Sequence, residues 1–439
     1  MYLSKARLPS ILQLSLLPQN PKSKFLITKQ LKKSGMKKIL SIVALVLLFA
    51  GATQAQKFEG LLTTPPMGWN SWNKFQCDIN EDMIREMADA LVATGLRDAG
   101  YQYIVIDDCW HGERDSLGFI QAHPERFPSG MKALADYVHA QGLKIGIYSD
   151  AGNTTCAGYP GSRGYEYQDA LTYASWGIDY LKYDWCDTEG LSGVGAYTTM
   201  SEALKAAGRP IVFSLCDWGH NEPWTWAKEV GHLWRTTGDI YNCWDCEHSH
   251  GDWSSWGILK ILDMHREFEI REYQGPGHFN DPDMLQVGNG MSVNEDRAHF
   301  AIWAMLSAPL MAGNDIRNMS PETHAILTNG EVIAVNQDPL AIQGFRYAAE
   351  GQLETWFKPL SEGRWAVMFL NRGDEDLPLK FDWQAHKVVD EVFDREADFA
   401  TQPYNLRNVW THKDAGNTKK ALKGSVPARD VLMFVLDPK

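Results

Sequence analysis

Three stretches of the chain place acids where acids are costly. Tyr103-Ile104-Val105-Ile106 runs straight into Asp107-Asp108, Tyr180-Leu181-Lys182-Tyr183 ends in Asp184, and Trp234-Arg235-Thr236-Thr237-Gly238 leads to Asp239. Burying a charge without a partner is strongly unfavourable, so such apolar runs either stop at the surface or deliver carboxylates to a site. Lys182 and Asp184 are two apart on one strand, so their side chains point the same way. A neighbouring ammonium favours an ionised carboxylate, which suits Asp184 to be a nucleophile. Asp239 follows Arg235, where the chain can turn back over the same pocket. Two carboxylates about 5–5.5 Å apart are the arrangement of a retaining glycoside hydrolase. With Asp184 ionised, its field favours a protonated Asp239, the acid. Once Asp184 is esterified that field disappears, and Asp239 can act as base toward water.

These acids need elements to position them. Short β-like runs alternate with amphipathic stretches from Met67 to about Gly313. The expected strands are Met67–Trp69, Tyr103–Asp107, Lys144–Tyr148, Tyr180–Asp184, Ile211–Leu215, Leu233–Thr236, Phe279–Asp281 and Ala308–Ala312. Helical patterns over Glu81–Ala99, Gly130–Gln141, Tyr165–Trp176 and Gly195–Ala207 are followed by Gly100, Gly142, Gly177 and Gly208, as helix C-caps are. Eight β/α units over about 250 residues predict a (β/α)8 TIM barrel. A doubly wound sheet is the rival, but no Gly-rich phosphate loop follows the first strand. Barrel active sites lie where the strands leave the C-terminal face. The other polar strand ends there are Tyr148 and Asp150, Cys216-Asp217-Trp218, and Asp281 with Asp283. A single such acid is as well explained as a helix N-cap or a surface ion pair. Convergence of six strand ends on one pocket is not.

After Gln337-Asp338-Pro339 the helical period stops. Leu353–Lys358, Arg364–Asn371, Leu377–Phe381, Val388–Phe393 and Val431–Leu436 read as alternating strands, predicting a C-terminal antiparallel β-sandwich. The expected division is an upstream extension and signal peptide over 1–55, a catalytic barrel over 56–343 and the sandwich over 344–439. Met36-Lys37-Lys38, the apolar run Ile39–Ala50 and Thr53-Gln54-Ala55 carry the signal-peptide pattern, with Met36 the expected start. That places the protein outside the cytoplasm, in the periplasm or the medium.

Removing residues 1–55 takes away nine basic residues and no acids, moving the formal charge from −13 to −22. Nucleic acid and anionic membrane surfaces are poor partners for such a chain, and no membrane span is expected in the mature part. A neutral polar substrate fits better. Seventeen Trp residues offer flat faces for sugar rings, although many must be core. All seven cysteines follow residue 55, and the odd count leaves at least one thiol unpaired within the chain.

Six motifs in order, Met67-Gly68-Trp69-Asn70-Ser71-Trp72, Asp107-Asp108-Cys109-Trp110, Gly146-Ile147-Tyr148-Ser149-Asp150, Lys182-Tyr183-Asp184, Trp234-Arg235-Thr236-Thr237-Gly238-Asp239 and Asn280-Asp281-Pro282-Asp283-Met284-Leu285, resemble glycoside hydrolase family 27, in its α-galactosidase (melibiase) group. The resemblance extends through Asn336-Gln337-Asp338-Pro339 and covers nearly the whole mature chain. It implies a retaining, exo-acting glycosidase for terminal α-galactose that needs no cofactor and no metal. In that reading Asp184 is the nucleophile and Asp239 the acid/base. Asp107 and Asp108 hold the sugar 4- and 6-hydroxyls, Lys182 the 3- and 4-hydroxyls, and Arg235 the 2-hydroxyl side. Trp72 packs on the sugar and Tyr148 lies beside the reaction centre. Cys77–Cys109 and Cys156–Cys186 are the disulfides it implies.

Two features depart from the family pattern. Asp217 stands where relatives usually carry Glu. Relatives that take N-acetylgalactosamine make room beside the 2-position with small residues, whereas Cys216 and Trp218 here favour plain galactose. The second is Asn242-Cys243-Trp244-Asp245-Cys246-Glu247-His248-Ser249-His250, whose Cys-x2-Cys and two His read either as a local disulfide or as metal ligands. The disulfide is favoured because zinc sites usually space the second pair further away. An α-N-acetylgalactosaminidase or a β-L-arabinopyranosidase of the same family is the alternative. Asp108 argues against arabinose, which lacks a C6 hydroxyl. A zinc-dependent hydrolase rests on the Cys243–His250 cluster alone, and a non-catalytic sugar-binding barrel is disfavoured by having both Asp184 and Asp239. The natural substrate and the oligomeric state do not follow from the sequence.

Overall fold

The computed structural model describes residues 57–439; the signal peptide expected over 1–55 lies outside them. Eight strands form the barrel: β1 (Met67–Asn70), β2 (Tyr103–Val105), β3 (Lys144–Asp150), β4 (Tyr180–Asp184), β5 (Val212–Cys216), β6 (Leu233–Arg235), β7 (Phe279–Asp281) and β8 (Leu310–Ala312). Each lies within two residues of its expected ends. All neighbours pair in parallel in the order β7-β6-β5-β4-β3-β2-β1-β8. The segment after β7 closes the ring, with Leu285 bridging Ala312 and its N–H donating to the Met311 carbonyl at 2.8 Å.

The period of two explains what fills the barrel. Tyr103, Val105, Tyr180, Val212, Leu233 and Phe279 make one buried cluster inside it. Their strand neighbours Ile104, Leu181, Phe213 and Trp234 belong to the larger core against the helices. Gly68 is required on β1, since a Cβ there would lie 2.5 Å from the Tyr103 carbonyl oxygen. Continuing the alternation upward puts Lys182, Asp184, Cys216 and Arg235 on the inner face at the C-terminal mouth.

Helix α1 (Glu81–Ala93) is N-capped by Asn80, whose side chain accepts from the Met83 N–H. Its pattern predicts helix as far as Ala99. The chain instead breaks at Gly95, in the left-handed region, and resumes as a single turn at Leu96–Ala99. Gly177 and Gly208 cap their helices in the left-handed conformation, as expected. Among the described residues, no helix is long and apolar enough to cross a membrane.

The C-terminal part centres on a six-stranded antiparallel sheet in which Trp365–Asn371 pairs with Leu353–Pro359 and Val431–Pro438. One face, with Trp356, Met368 and Met433, joins the core of the barrel helices. The other, with Phe357, Phe369 and Phe434, packs on Leu379, Phe381 and Trp383. Lys358 secures the junction. Fully buried, it donates to the Ala304 and Val335 carbonyls and the Ser307 hydroxyl at 2.6–2.8 Å. Burial pushes its ammonium down to about 7.

Candidate active site

The residues singled out in the sequence come together at the C-terminal mouth. Asp184 ends β4, level in register with Asp150 of β3 and Cys216 of β5. It is almost fully buried. Burial pushes its carboxyl up to about 7. The Asp239 and Asp107 charges add to that push, while Lys182 and a hydrogen bond from Tyr148 oppose it. These are the groups that the sequence places around a reacting centre. Lys182, however, does not make its ion pair with Asp184. Its Nζ lies 2.9 Å from Asp107 Oδ2, across the barrel interior, and 5.3 Å from the Tyr148 ring centroid. Burial disfavours the ammonium, but Asp107 leads the charges that hold it well above its ordinary range. Lys182 is therefore fixed to the acid that follows β2 and steadies Asp184 through space.

The two acids after β2 are held in place without being used up. Asp107 Oδ2 accepts from Asn70 Nδ2 at 2.8 Å as well as from Lys182, and Oδ1 accepts from the Asp108 N–H at 3.0 Å. Asp108 accepts from the N–H groups of Cys109 and Ala157 at 2.7 and 2.9 Å, one to each oxygen. Burial raises its carboxyl. A carboxylate has about four lone-pair sites, so both acids keep acceptor capacity for hydroxyl groups. Cys109 is bonded to Cys77, and its left-handed φ of 76° turns the chain sharply behind the pair.

Asp239 follows β6, across the barrel from β2, and its side chain is about one-third exposed. Arg235 Nη2 reaches its Oδ1 at 3.2 Å and Asp283 Oδ2 at 2.8 Å. Asp283 Oδ2 also accepts from the N–H of Ile240, next to Asp239, at 2.9 Å. Burial pushes the Asp283 carboxyl up to about 6, with Arg235 opposing. The resemblance assigns Arg235 to the sugar; the structure ties it first to Asp283 and then to Asp239.

Tyr148 is fully buried, with its hydroxyl 3.2 Å from Cys156 Sγ. Cys156 is bonded to Cys186, two residues beyond Asp184. Asp150 Oδ2 accepts from the Cys186 N–H at 2.9 Å and Oδ1 from the Gly152 N–H at 2.7 Å. Its carboxyl is pushed up to about 8, by burial first and then by Asp184. Cys216 is a buried free thiol 3.7 Å from Arg235 Nη1. Trp218, half-buried, takes a left-handed φ of 54°, an uncommon conformation for a non-glycine residue. Trp72, also half-buried, packs at the barrel mouth beside the inner cluster, and its backbone N–H donates to Asn70 Oδ1 at 2.8 Å. Asn70, Asp150 and Asp283 received no role from sequence. Their signals were a polar residue at a strand end and a place within the motifs that carry the resemblance.

Cys243 and Cys246 are bonded to each other, which takes both sulfurs that the zinc reading required.

The barrel segment 64–338 matches the model of the α-galactosidase A family, and 350–436 matches the α-galactosidase C-terminal β-sandwich domain. The chain belongs to the α-galactosidase (melibiase) family, glycoside hydrolase family 27. It is 59% identical over 400 residues to α-galactosidase A of Cellvibrio japonicus, covering 91% of this chain and 98% of that one. The crystal structure of α-galactosidase I from Mortierella vinacea superposes with a TM-score of 0.79 at 37% identity, over 86% of this chain and 98% of that chain. The α-galactosidase of Saccharomyces cerevisiae, solved with raffinose, gives 0.79 at 29% identity, over 88% and 100%. As an enzyme of the α-galactosidase family this protein is a glycoside hydrolase.

The acid cluster has a consequence for stability. Asp184 and Asp150 have folded-state values above the ordinary 3.8, so the folded chain binds more protons than the unfolded chain between about pH 4 and 8. Their contribution to stability therefore falls as pH rises through that window. An Asp184→Asn variant should match the wild type in Tm near pH 4 and exceed it by about 2 °C or more at pH 8. Thermal melts across pH measure this, and parallel curves for the two proteins would contradict it.

Proposed function

We infer that the protein removes terminal α-galactose from galactosides by double displacement. The observation that carries this reading is the placement of Asp184 at the end of β4, buried, on the same inner face as Lys182 and acted on by the charge of Asp239. Asp184 attacks the anomeric carbon while Asp239 gives its proton to the leaving glycosidic oxygen. The ester formed has inverted configuration. Asp239 then takes a proton from water, which attacks the same carbon and releases galactose with its original configuration. Arg235, held by Asp283, keeps Asp239 at the lip throughout. Cleaving only terminal residues fits a site closed beneath the sugar by Lys182, Asp107 and Asp108.

An axial 4-hydroxyl presents itself to paired carboxylates in a direction that an equatorial one does not, which supports galactose over glucose. The bulk of Trp218 after Cys216 supports galactose over N-acetylgalactosamine. Assays with 4-nitrophenyl α-galactoside, α-N-acetylgalactosaminide and β-L-arabinopyranoside test this choice, and a best rate on either of the last two would overturn it. Asp108 should be the group that reads C6. Losing a hydrogen bond to a charged group costs about 1.5–3 kcal/mol. Asp108→Ala should therefore lower kcat/KM on the α-galactoside by about 10- to 100-fold, and change the β-L-arabinopyranoside rate far less. Equal losses on both would remove that role.

Export is part of the proposal. The signal-like segment in 1–55 and three disulfides among the described residues fit an oxidising compartment.

A further inference from the structure

The Asn242–His250 stretch takes no part in the bond-breaking chemistry, yet it has a defined shape. It forms a hairpin in which Glu247–Ser249 pairs with Ser254–Trp256. The hairpin is rooted on Asp239 itself: the Trp256 N–H donates to the Asp239 carbonyl at 2.8 Å, and the Tyr241 N–H to the Trp256 carbonyl at 2.8 Å. The Cys243–Cys246 bridge closes its base. Trp244 is buried beneath it, donating from Nε1 to the Arg372 carbonyl of the C-terminal domain at 3.2 Å.

Above that base the hairpin carries a run of rings. Tyr241 stacks on His248 with centroids 4.2 Å apart and planes 2° from parallel. His248 meets His250 edge-on at 4.7 Å, and His250 stacks on Trp253 at 3.9 Å. Tyr241 is 37% exposed and Trp253 51%. The Ser255 hydroxyl fixes His250 Nε2 at 2.8 Å. An exposed aromatic surface on a rigid, anchored element marks a binding face.

We propose that this ring comb is the platform for the leaving part of the substrate, and that the preferred substrates are α-galactosides on an oligosaccharide or polysaccharide chain. The inference rests on Asp239 being the acid. A proton donor must lie within about 2.6–3.2 Å of the oxygen it protonates. The sugars attached to that oxygen must then leave past Asp239, where the hairpin stands. Flat rings with polar edges suit pyranose faces and hydroxyls, whereas a lipid tail would call for an aliphatic surface. The acidic charge of the chain disfavours an anionic aglycone.

Trp253→Ala and Tyr241→Ala test it, assayed on 4-nitrophenyl α-galactoside, raffinose and an α-galactosylated mannotetraose. Each variant should lose about tenfold in kcat/KM on the two oligosaccharides, mainly through KM, with less than about twofold change on the nitrophenyl substrate. Trp253→Phe should recover most of the loss. Unchanged oligosaccharide rates, or equal losses on all three substrates, would overturn the platform. A wild-type enzyme inactive on the nitrophenyl α-galactoside would instead overturn the function on which it rests.

Discussion

Replacing Asp184 with Asn should lower kcat/KM on 4-nitrophenyl α-galactoside by on the order of 10⁴-fold, the scale of losing one essential member of a catalytic set. Asn has nearly the same shape, so the strand end and its buried surroundings persist. What disappears is the negative charge that must form a bond to the anomeric carbon. The loss should fall on kcat as much as on kcat/KM, because the bond exists only beyond the ground state. Stability should move the other way. The wild-type carboxylate is held in a buried site against its own preference for the neutral form. Asn removes that conflict, so the inactive variant should be the more heat-resistant above neutral pH. Activity and stability moving in opposite directions would separate a nucleophile from a residue that merely packs. An Asp184→Asn enzyme with wild-type turnover would end the mechanism.

The sequence carries this site further than it carries the elements around it. The barrel strands are legible because most are short apolar runs ending at a polar residue, and both halves of that pattern have a physical cause. The inner and outer faces are both buried, and the C-terminal ends open on the pocket. Several strands of the sandwich have no such signature. Lys413–Asn417 and Leu422–Val426 are polar and largely exposed, so nothing in their composition separates them from loop. Glu247–Ser249 is exposed at every position and, among the described residues, pairs only with another three-residue strand.

Within the site, identities were legible but partners were not. A period of two places Lys182 beside Asp184 on one face, and that much holds. The curvature of the barrel then carries the Lys182 ammonium to Asp107, two strands away, a contact that no local spacing encodes. Arg235 and Asp239 are four apart in sequence, yet Asp283, more than forty residues later, fixes the pair by binding both the guanidinium and the Ile240 N–H. Asp150 is similar. It reads as one more strand-end acid, whereas its oxygens tie the turn after its own strand, at Gly152, to the chain just after the nucleophile, at Cys186.

The second large effect concerns Asp239, and its signature is stereochemical. Asp239→Gly should lower kcat/KM by about 10²–10⁴-fold on α-galactosides with poor leaving groups, the usual range for general acid–base catalysis. The first step on 4-nitrophenyl α-galactoside should survive better, since nitrophenolate departs with little help from an acid. The ester on Asp184 should then accumulate, giving a burst of nitrophenol followed by slow turnover, because no base remains to activate water. Azide needs no such base, and removing the side chain opens space beside the anomeric carbon. Added azide should therefore restore turnover and yield α-galactosyl azide, the product of two inversions. Asp184→Gly with azide makes the contrasting case: a single displacement by azide should give the β-anomer. Opposite anomers from the two variants would assign each carboxylate to its own face of the sugar. The same anomer from both, or rescue of neither, would mean that the two acids do not flank the reacting carbon.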